Sequence, residues 1–150
     1  MPKQEFKEFC HEEFSSRGFA KRRGMYYRKG EKLLCGLKLQ KSMAEVFYVN
    51  YGFFIGEFEG EYPSYDKCDI KSRICVLSKD TIAGRHFMDI RIEYELYNRE
   101  EIKPYFDEVF EKYIIPPLEI GKDYILKHQE HYFESIFPEN LPKILEKLNG

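Results

Sequence analysis

Residues 33–58 hold two runs of two-residue alternation, and these constrain the fold more than any other stretch. Leu33, Cys35, Leu37 and Leu39 alternate with smaller or more polar residues, and so do Phe47, Val49, Tyr51, Phe53 and Ile55. Period two built from aromatic and β-branched residues is the pattern of strands, and the two runs in succession predict one long antiparallel hairpin. A two-residue turn at Met43-Ala44 would set Leu37 against Asn50 and Cys35 against Gly52, mixing apolar and polar residues on one face. A loop of three or five residues instead pairs Leu39 with Val49, Leu37 with Tyr51 and Cys35 with Phe53. Because a one-residue slip moves every side chain to the other face, the odd loop is predicted. No Asn-Gly or Asp-Gly demands the tighter turn.

The other face of this hairpin carries Gly36, Lys38, Gln40 and Ser42 on one strand and Tyr48, Asn50, Gly52, Phe54 and Gly56 on the other. Glycine inside a strand weakens it and marks close approach of a backbone or ligand. Gln40 and Asn50 beside Gly52 can line a small polar groove, but the favoured reading is a bulged, half-exposed face with its polar residues outward.

Around the hairpin the periodicity changes. Residues 3–17 place Phe6, Phe9, Cys10 and Phe14 on one helical stripe, with Glu5, Glu8, Glu12 and Glu13 toward water and Gly18 at the position that ends helices. Residues 25–29 predict a short strand turned at Gly30, and residues 59–68 a polar loop. A fourth strand is expected over 69–78, a turn over 79–84, and a fifth strand from Met88 to Tyr97, where Met88, Ile90, Ile92, Tyr94 and Leu96 alternate with charged residues. Asn98 and Glu101 form a capping-box pattern, followed by Ile102, Tyr105, Phe106, Val109, Phe110 and Tyr113 at helical spacing. Pro104 predicts a kink or restart, and the helix is expected to end before Pro116-Pro117. Helices are predicted again over 122–134 and over 141–148, the last capped by Asn140. One helix, a run of five strands and three closing helices give an α+β class: a five-stranded antiparallel meander with helices on one face.

With 150 residues the chain is expected to form one domain over residues 1–150. Thirteen Phe and twelve Tyr without Trp predict a Phe-rich core edged by tyrosines. The formal net charge is −2, yet residues 17–41 hold nine basic residues against Glu31 alone, a local +8 that leaves −10 for the rest. That asymmetry points the first third toward an anionic partner. Cys10, Cys35, Cys68 and Cys75 form no Cys-x-x-Cys pair and follow no secretory signal pattern, so reduced, mostly buried thiols in a cytoplasmic protein are expected. No apolar run nears the ~18 residues that span a bilayer, so no membrane partner is expected.

Several segments together resemble a bacterial family catalogued only as a domain of unknown function. They are Gly18-Phe19-x-Lys21-x-Arg23, the basic-aromatic Tyr27-Arg28, Leu39-Gln40-Lys41-Ser42 and Phe47-x-Val49-Asn50-x-Gly52, with Arg73-Ile74 and Pro116-Pro117-Leu118 fitting more loosely. The resemblance implies a cytoplasmic α+β domain and carries no catalytic residue with it.

His128 and His131 lie three apart on a predicted helix, a spacing that can present two imidazoles to zinc, but no third ligand follows; a solvated helix face is the favoured reading. Cys68, Cys75 and His86 have no metal-knuckle spacing, and Asp89, Glu93 and Glu95 read as a wet strand face. No nucleophile elbow, phosphate loop or dinucleotide glycine pattern is present, and no cofactor is expected. The favoured function is a non-catalytic binding domain for a protein or anionic ligand, using Arg23, Arg28, Lys38, Gln40, Asn50 and Gly52. The alternatives are a small enzyme acting on an anionic substrate and, less favoured, a nucleic-acid binder working through residues 17–41, with Tyr26, Tyr27 and Phe19 interleaved among the charges.

Overall fold

The computed structural model describes residues Met1–Gly150. Helix α1 (Lys3–Ser15) leads into a five-stranded antiparallel meander of β1 (Ala20–Arg22), β2 (Met25–Gly30), β3 (Leu33–Lys41), β4 (Phe47–Ile55) and β5 (Ile70–Arg73), in that spatial order. A separate hairpin follows, β6 (Val76–Ile82) with β7 (Arg85–Asp89). Helices α2 (Arg99–Val109), α3 (Ile115–Ile120), α4 (Asp123–Lys127), α5 (Gln129–Tyr132) and α6 (Leu141–Asn149) close the chain.

The central hairpin has the predicted register: Leu39 faces Val49, Leu37 faces Tyr51 and Cys35 faces Phe53, across the five-residue loop Ser42–Val46. These residues point to one sheet face, termed face A, which the helices cover. The buried cluster there runs from Phe6, Phe9 and Phe14 of α1 through Leu37, Tyr51 and Phe53 to Ile102, Phe106, Phe110, Ile144 and Leu148. It is rich in phenylalanine, and its tyrosine hydroxyls find partners at the margin: Tyr132 donates to the Tyr113 carbonyl at 2.7 Å and Tyr97 to the Leu77 carbonyl at 2.7 Å.

Helix α1 ends as its sequence dictates. Gly18 takes φ +84°, the Phe19 amide donates to the Phe14 carbonyl and the Gly18 amide to the Ser15 carbonyl. That pair of bonds is the Schellman arrangement, which satisfies carbonyls the helix leaves open. Of the four glutamates expected to face water, Glu13 is largely covered, bridged to Arg17 at 3.3 Å and to Lys103 at 3.0 Å. The Asn98 capping box is complete, with the Glu101 amide donating to the Asn98 side chain and the Asn98 amide to the Glu101 carboxylate.

Several expectations are corrected. Residues 88–97 are not a fifth strand of the sheet: β7 stops at Asp89, whose carboxylate accepts from the Arg91 amide at 3.0 Å. The chain then turns so that only Ile92 bridges Phe47, and Tyr94–Leu96 form a 3-10 turn. Ile92 and Tyr94 are buried while Met88 and Leu96 are about half exposed, so the apolar alternation there does not track a common buried face. Asp89, Glu93 and Glu95 accordingly share no strand. The expected fourth strand divides into β5 and β6, and the expected turn shrinks to Ala83-Gly84, both at positive φ. Ala20–Arg22, outside every predicted element, is an edge strand joined to β2 by Arg23-Gly24, also both at positive φ. This is the two-residue hairpin turn whose twist matches flanking strands.

Gly30 does not turn the chain; it pairs with Leu33 inside β2, and the turn is Glu31-Lys32. A Cβ on Gly30 would stand 2.9 Å from the Leu118 carbonyl oxygen, so its role is to let α3 approach the sheet. Helix α2 runs through Pro104 without restarting, widens into a π-helical segment at Phe110–Ile114, and continues as α3 across Pro116 and Pro117. The two prolines fall in the first turn of α3, where a missing N–H costs little. The expected helix over 122–134 is broken at His128 (φ −129°, ψ +44°) into α4 and α5. Asn140 precedes α6 in helical conformation and makes no side-chain cap bond.

Candidate functional site

The opposite sheet face, face B, is half covered and half open. At one end Met25, Tyr27, Leu34 and Phe54 form a second buried cluster, roofed by residues 56–69 through Phe58, Tyr65 and Cys68. The roof is pinned by hydrogen bonds from Tyr27 Oη to the Pro63 carbonyl (2.6 Å) and from Tyr65 Oη to the Tyr51 and Ser72 carbonyls (3.0 and 3.2 Å). Asp69 adds a tie to each side, accepting from the Ile55 amide at 2.8 Å and from Lys147 Nζ of α6 at 2.7 Å.

Gly36 and Gly52 are cross-strand partners beneath this roof. A Cβ on Gly52 would lie 2.6 Å from Cys68 Sγ and 2.8 Å from the Ile70 carbonyl oxygen; one on Gly36 would meet Met25 Cε at 2.9 Å. The glycines thus make room for the roof, and the space beside Gly52 is filled by Cys68. Burial pushes the Cys68 thiol up to about 12, so it stays protonated and behaves as a small apolar group.

The open half begins two residues further along, at the next row of the same face. Arg22 faces Met25, Lys38 faces Asn50, and Asn50 faces Arg73. The β2–β3 register continues this line by placing Met25 against Lys38, so one row crosses all five strands. Its three cations sit two strands apart, about 9–10 Å in each step. Asn50 is the one polar side chain of the row that is buried. Its Nδ2 donates to Gln40 Oε1 at 3.2 Å and to the Lys38 carbonyl at 3.4 Å, and its Oδ1 accepts from Arg73 Nε at 2.9 Å. Arg73 also reaches Gln40 Oε1 at 3.5 Å and lies 4.3 Å over the Tyr48 ring. Arg22 lies 5.6 Å over Tyr62, and Lys71, in the next row, 5.6 Å over Tyr65. None of Arg22, Lys38, Lys71 or Arg73 has a carboxylate within ion-pair distance, unlike Lys29, held by Glu59 at 3.1 Å.

Of the residues predicted for the site, Lys38, Gln40 and Asn50 come together on the open half. Gly52 lies in the next row, under the roof. Arg23 forms the exposed β1–β2 turn beside Arg22. Arg28 is apart from them, on face A opposite Cys35, where it donates to the Arg17 carbonyl at 3.0 Å and stands 3.9 Å from Glu119. Arg17 is bound to Asp107 at 2.5 Å and lies over Phe110. The cations of residues 17–41 therefore divide between two faces and do not form one continuous patch. Arg73 lies outside the residues predicted for the site, and its one sequence signal is the loosely fitting Arg73-Ile74 pair.

The remaining candidates are held by other partners. His131 stacks on Tyr113 at 3.5 Å and meets the buried Tyr51 hydroxyl at 2.8 Å, while His128 stacks on Tyr124 and contacts its carbonyl at 2.8 Å. Burial holds His131 below its ordinary value, against the opposing pull of Glu134 and Glu130. His86 contacts the Ser78 carbonyl at 2.9 Å. No three His, Cys, Asp or Glu side chains are grouped to hold a metal ion.

A meandering sheet with helices packed on one face and a half-roofed, basic second face defines an α+β protein with an open sheet surface. The chain belongs to the DUF4304 family, a domain of unknown function, whose family model matches residues 10–120. That span includes the second half of α1, the whole sheet, the β6–β7 hairpin, α2 and α3. The chain matches no curated protein and no solved structure. No helix is long and apolar enough to cross a membrane.

Proposed function

We propose that this protein is a non-catalytic, cytoplasmic binding domain whose open half of face B takes an acidic segment of a partner protein. The observation that carries the reading is the row Arg22–Met25–Lys38–Asn50–Arg73, in which three cations without carboxylate partners stand on a rigid sheet. Asn50 and Tyr48 fix Arg73, so little side-chain freedom is lost when it meets a carboxylate, and its planar fork suits bidentate pairing. The patch is short, and the rest of the chain is acidic. A short acidic segment matches that charge pattern better than a long polyanion, which would run off the patch onto repelling surface. Every buried side-chain polar atom has a hydrogen-bond partner, which favours a settled binding surface over a poised catalytic one. Four free cysteines, two of them fully buried, fit a reducing compartment.

The test is a fluorescence-anisotropy titration with a labelled oligoglutamate peptide and, in parallel, a single-stranded oligonucleotide, each at two salt concentrations. The proteins are wild type and an Arg22→Glu, Lys38→Glu variant; both positions are exposed, so the fold is retained. Peptide binding that weakens with salt and disappears in the variant is the expected result. Oligonucleotide binding without peptide binding would replace the reading with a nucleic-acid one, and binding of neither would overturn it.

A further inference from the structure

Face A is not covered to its end. Between α1 and the outer ends of β1–β4 lies an open cleft of about 630 Å³. One wall is a ladder on α1, Lys3, Lys7 and His11, spaced one helical turn apart. The other wall is Lys21 of β1, Tyr26 of β2 and Lys41 of β3. Register accounts for the second wall: Lys21 pairs with Tyr26 and Lys41 with Phe47, all on the face that α1 covers. We propose that this cleft is a binding site for a small phosphorylated ligand, independent of the face-B surface.

Charge supports the assignment first. Four lysines line the cleft and none is within ion-pair distance of a carboxylate; the ion pairs of the molecule engage other lysines. Two glutamates also line it, and Glu12 is already held by Arg99 at 2.7 Å. Glu8 remains, together with Glu45 just outside the lining, which accepts from the Tyr94 hydroxyl and feels Lys41 and Lys3; four lysines thus face two acids without ion-pair partners. Like charges gathered around a concave space repel one another, and a dianion placed among them relieves that repulsion. A phosphate monoester carries nearly two charges near neutral pH and three acceptor oxygens, so it can engage several ammonium groups where a carboxylate serves fewer.

The wall chemistry supports it second. His11 Nδ1 and the Tyr26 hydroxyl are 2.7 Å apart, and His11 Nε2 stands 3.5 Å from Ser15 Oγ. Tyr26 is buried by its ring and held through its hydroxyl, which fixes the orientation of His11 in the cleft wall. Lys41 is fixed as well, donating to the Ser42 and Ala44 carbonyls at 2.8 and 2.5 Å. Leu39 and Phe47 add an apolar base against which the rest of a ligand can lie. The volume suits a small molecule, within the roughly 300–1,000 Å³ of ordinary ligand sites.

The experiment is 1H NMR of the four histidines at low ionic strength, with the His11 ring resonance assigned from a His11→Gln spectrum, titrated with inorganic phosphate, pyrophosphate and acetate. The expected result is a saturable shift of the His11 resonance with phosphate or pyrophosphate, and a much weaker one with acetate. Lys7→Glu with Lys21→Glu, two exposed positions, should weaken the affinity at least about tenfold, because each reversal replaces an attraction by a repulsion at close range. Lys38→Glu, on face B, should leave it unchanged. No saturable shift, equal response to acetate, indifference to Lys7→Glu with Lys21→Glu, or loss on Lys38→Glu would each overturn the proposal. None of these results depends on whether the acidic peptide binds face B.

Discussion

Asn50 lies directly opposite Arg73 across the β4–β5 ladder, and its buried side-chain oxygen accepts the Arg73 Nε–H at 2.9 Å. The bond joins a strand interior to the outermost strand and sets where the guanidinium stands on the open face. It also leaves Asn50 with no unused polar atom, since its amide is taken by Gln40 and the Lys38 carbonyl.

Replacing Asn50 by Leu should therefore do two things at once. It strips the Gln40 and Lys38 oxygens of a donor and the Arg73 Nε of its acceptor, costing about 0.5–1.5 kcal/mol by urea unfolding, the net worth of such a bond where the freed groups can turn to water. It also frees Arg73, so affinity for the acidic peptide should fall more than Gln40→Ala lowers it. Unchanged stability in Asn50→Leu would show that the network is not holding the sheet.

Gly52→Ala tests whether the glycine makes room for the roof. The added methyl meets Cys68 Sγ at 2.6 Å and the Ile70 carbonyl at 2.8 Å. Overpacking of this kind costs about 1–3 kcal/mol. Combining it with Cys68→Ala should recover only part of the loss, because the Ile70 oxygen is backbone and cannot be trimmed. Full recovery in the double variant would assign the whole conflict to the thiol.

The Tyr51–His131 pair predicts a pH dependence. Burial lowers the His131 value in the native state, so the fold favours its neutral form; Glu134 and Glu130 oppose this and His128 adds to it. The resulting contribution is whole above the ordinary histidine value of about 6.5 and is lost as pH falls from there through the lowered native value. Unfolding midpoints measured from pH 8 down to pH 5 should fall more steeply for wild type than for His131→Gln. Parallel curves would place the acid sensitivity elsewhere.

Much of the fold is legible locally because its determinants are local. The β3–β4 register follows from which residues must share a buried face, and the odd length of the loop follows from the register. Gly18 and the Asn98–Glu101 pair likewise act within a few residues of themselves. The site was legible in part: Gln40 and Asn50 meet because the hairpin register brings them together. Arg28 stands apart from the other predicted site residues for a definite reason. The two-residue turn Glu31-Lys32 pairs even-numbered residues of β2 with odd-numbered residues of β3, which puts Arg28 with Cys35 and away from Lys38.

Sequence alone thus determined the hairpin, its register, the end of α1, the start of α2 and the α+β order, since backbone geometry and periodic burial within a few residues suffice for each. Tertiary structure decided the rest. Residues 88–97 alternate as a strand does, yet a strand needs a neighbour to complete its hydrogen bonds, and beyond Asp89, where β7 ends, only Ile92 finds one, at Phe47. Cys68 reaches Gly52 only because Tyr27, Tyr65 and Asp69 pin the roof from three strands. His11 and Tyr26 meet only because α1 packs across the sheet. Such contacts join segments whose separation along the chain leaves no periodic trace, so the open row on face B and the lysine-lined cleft appear only when the chain is folded.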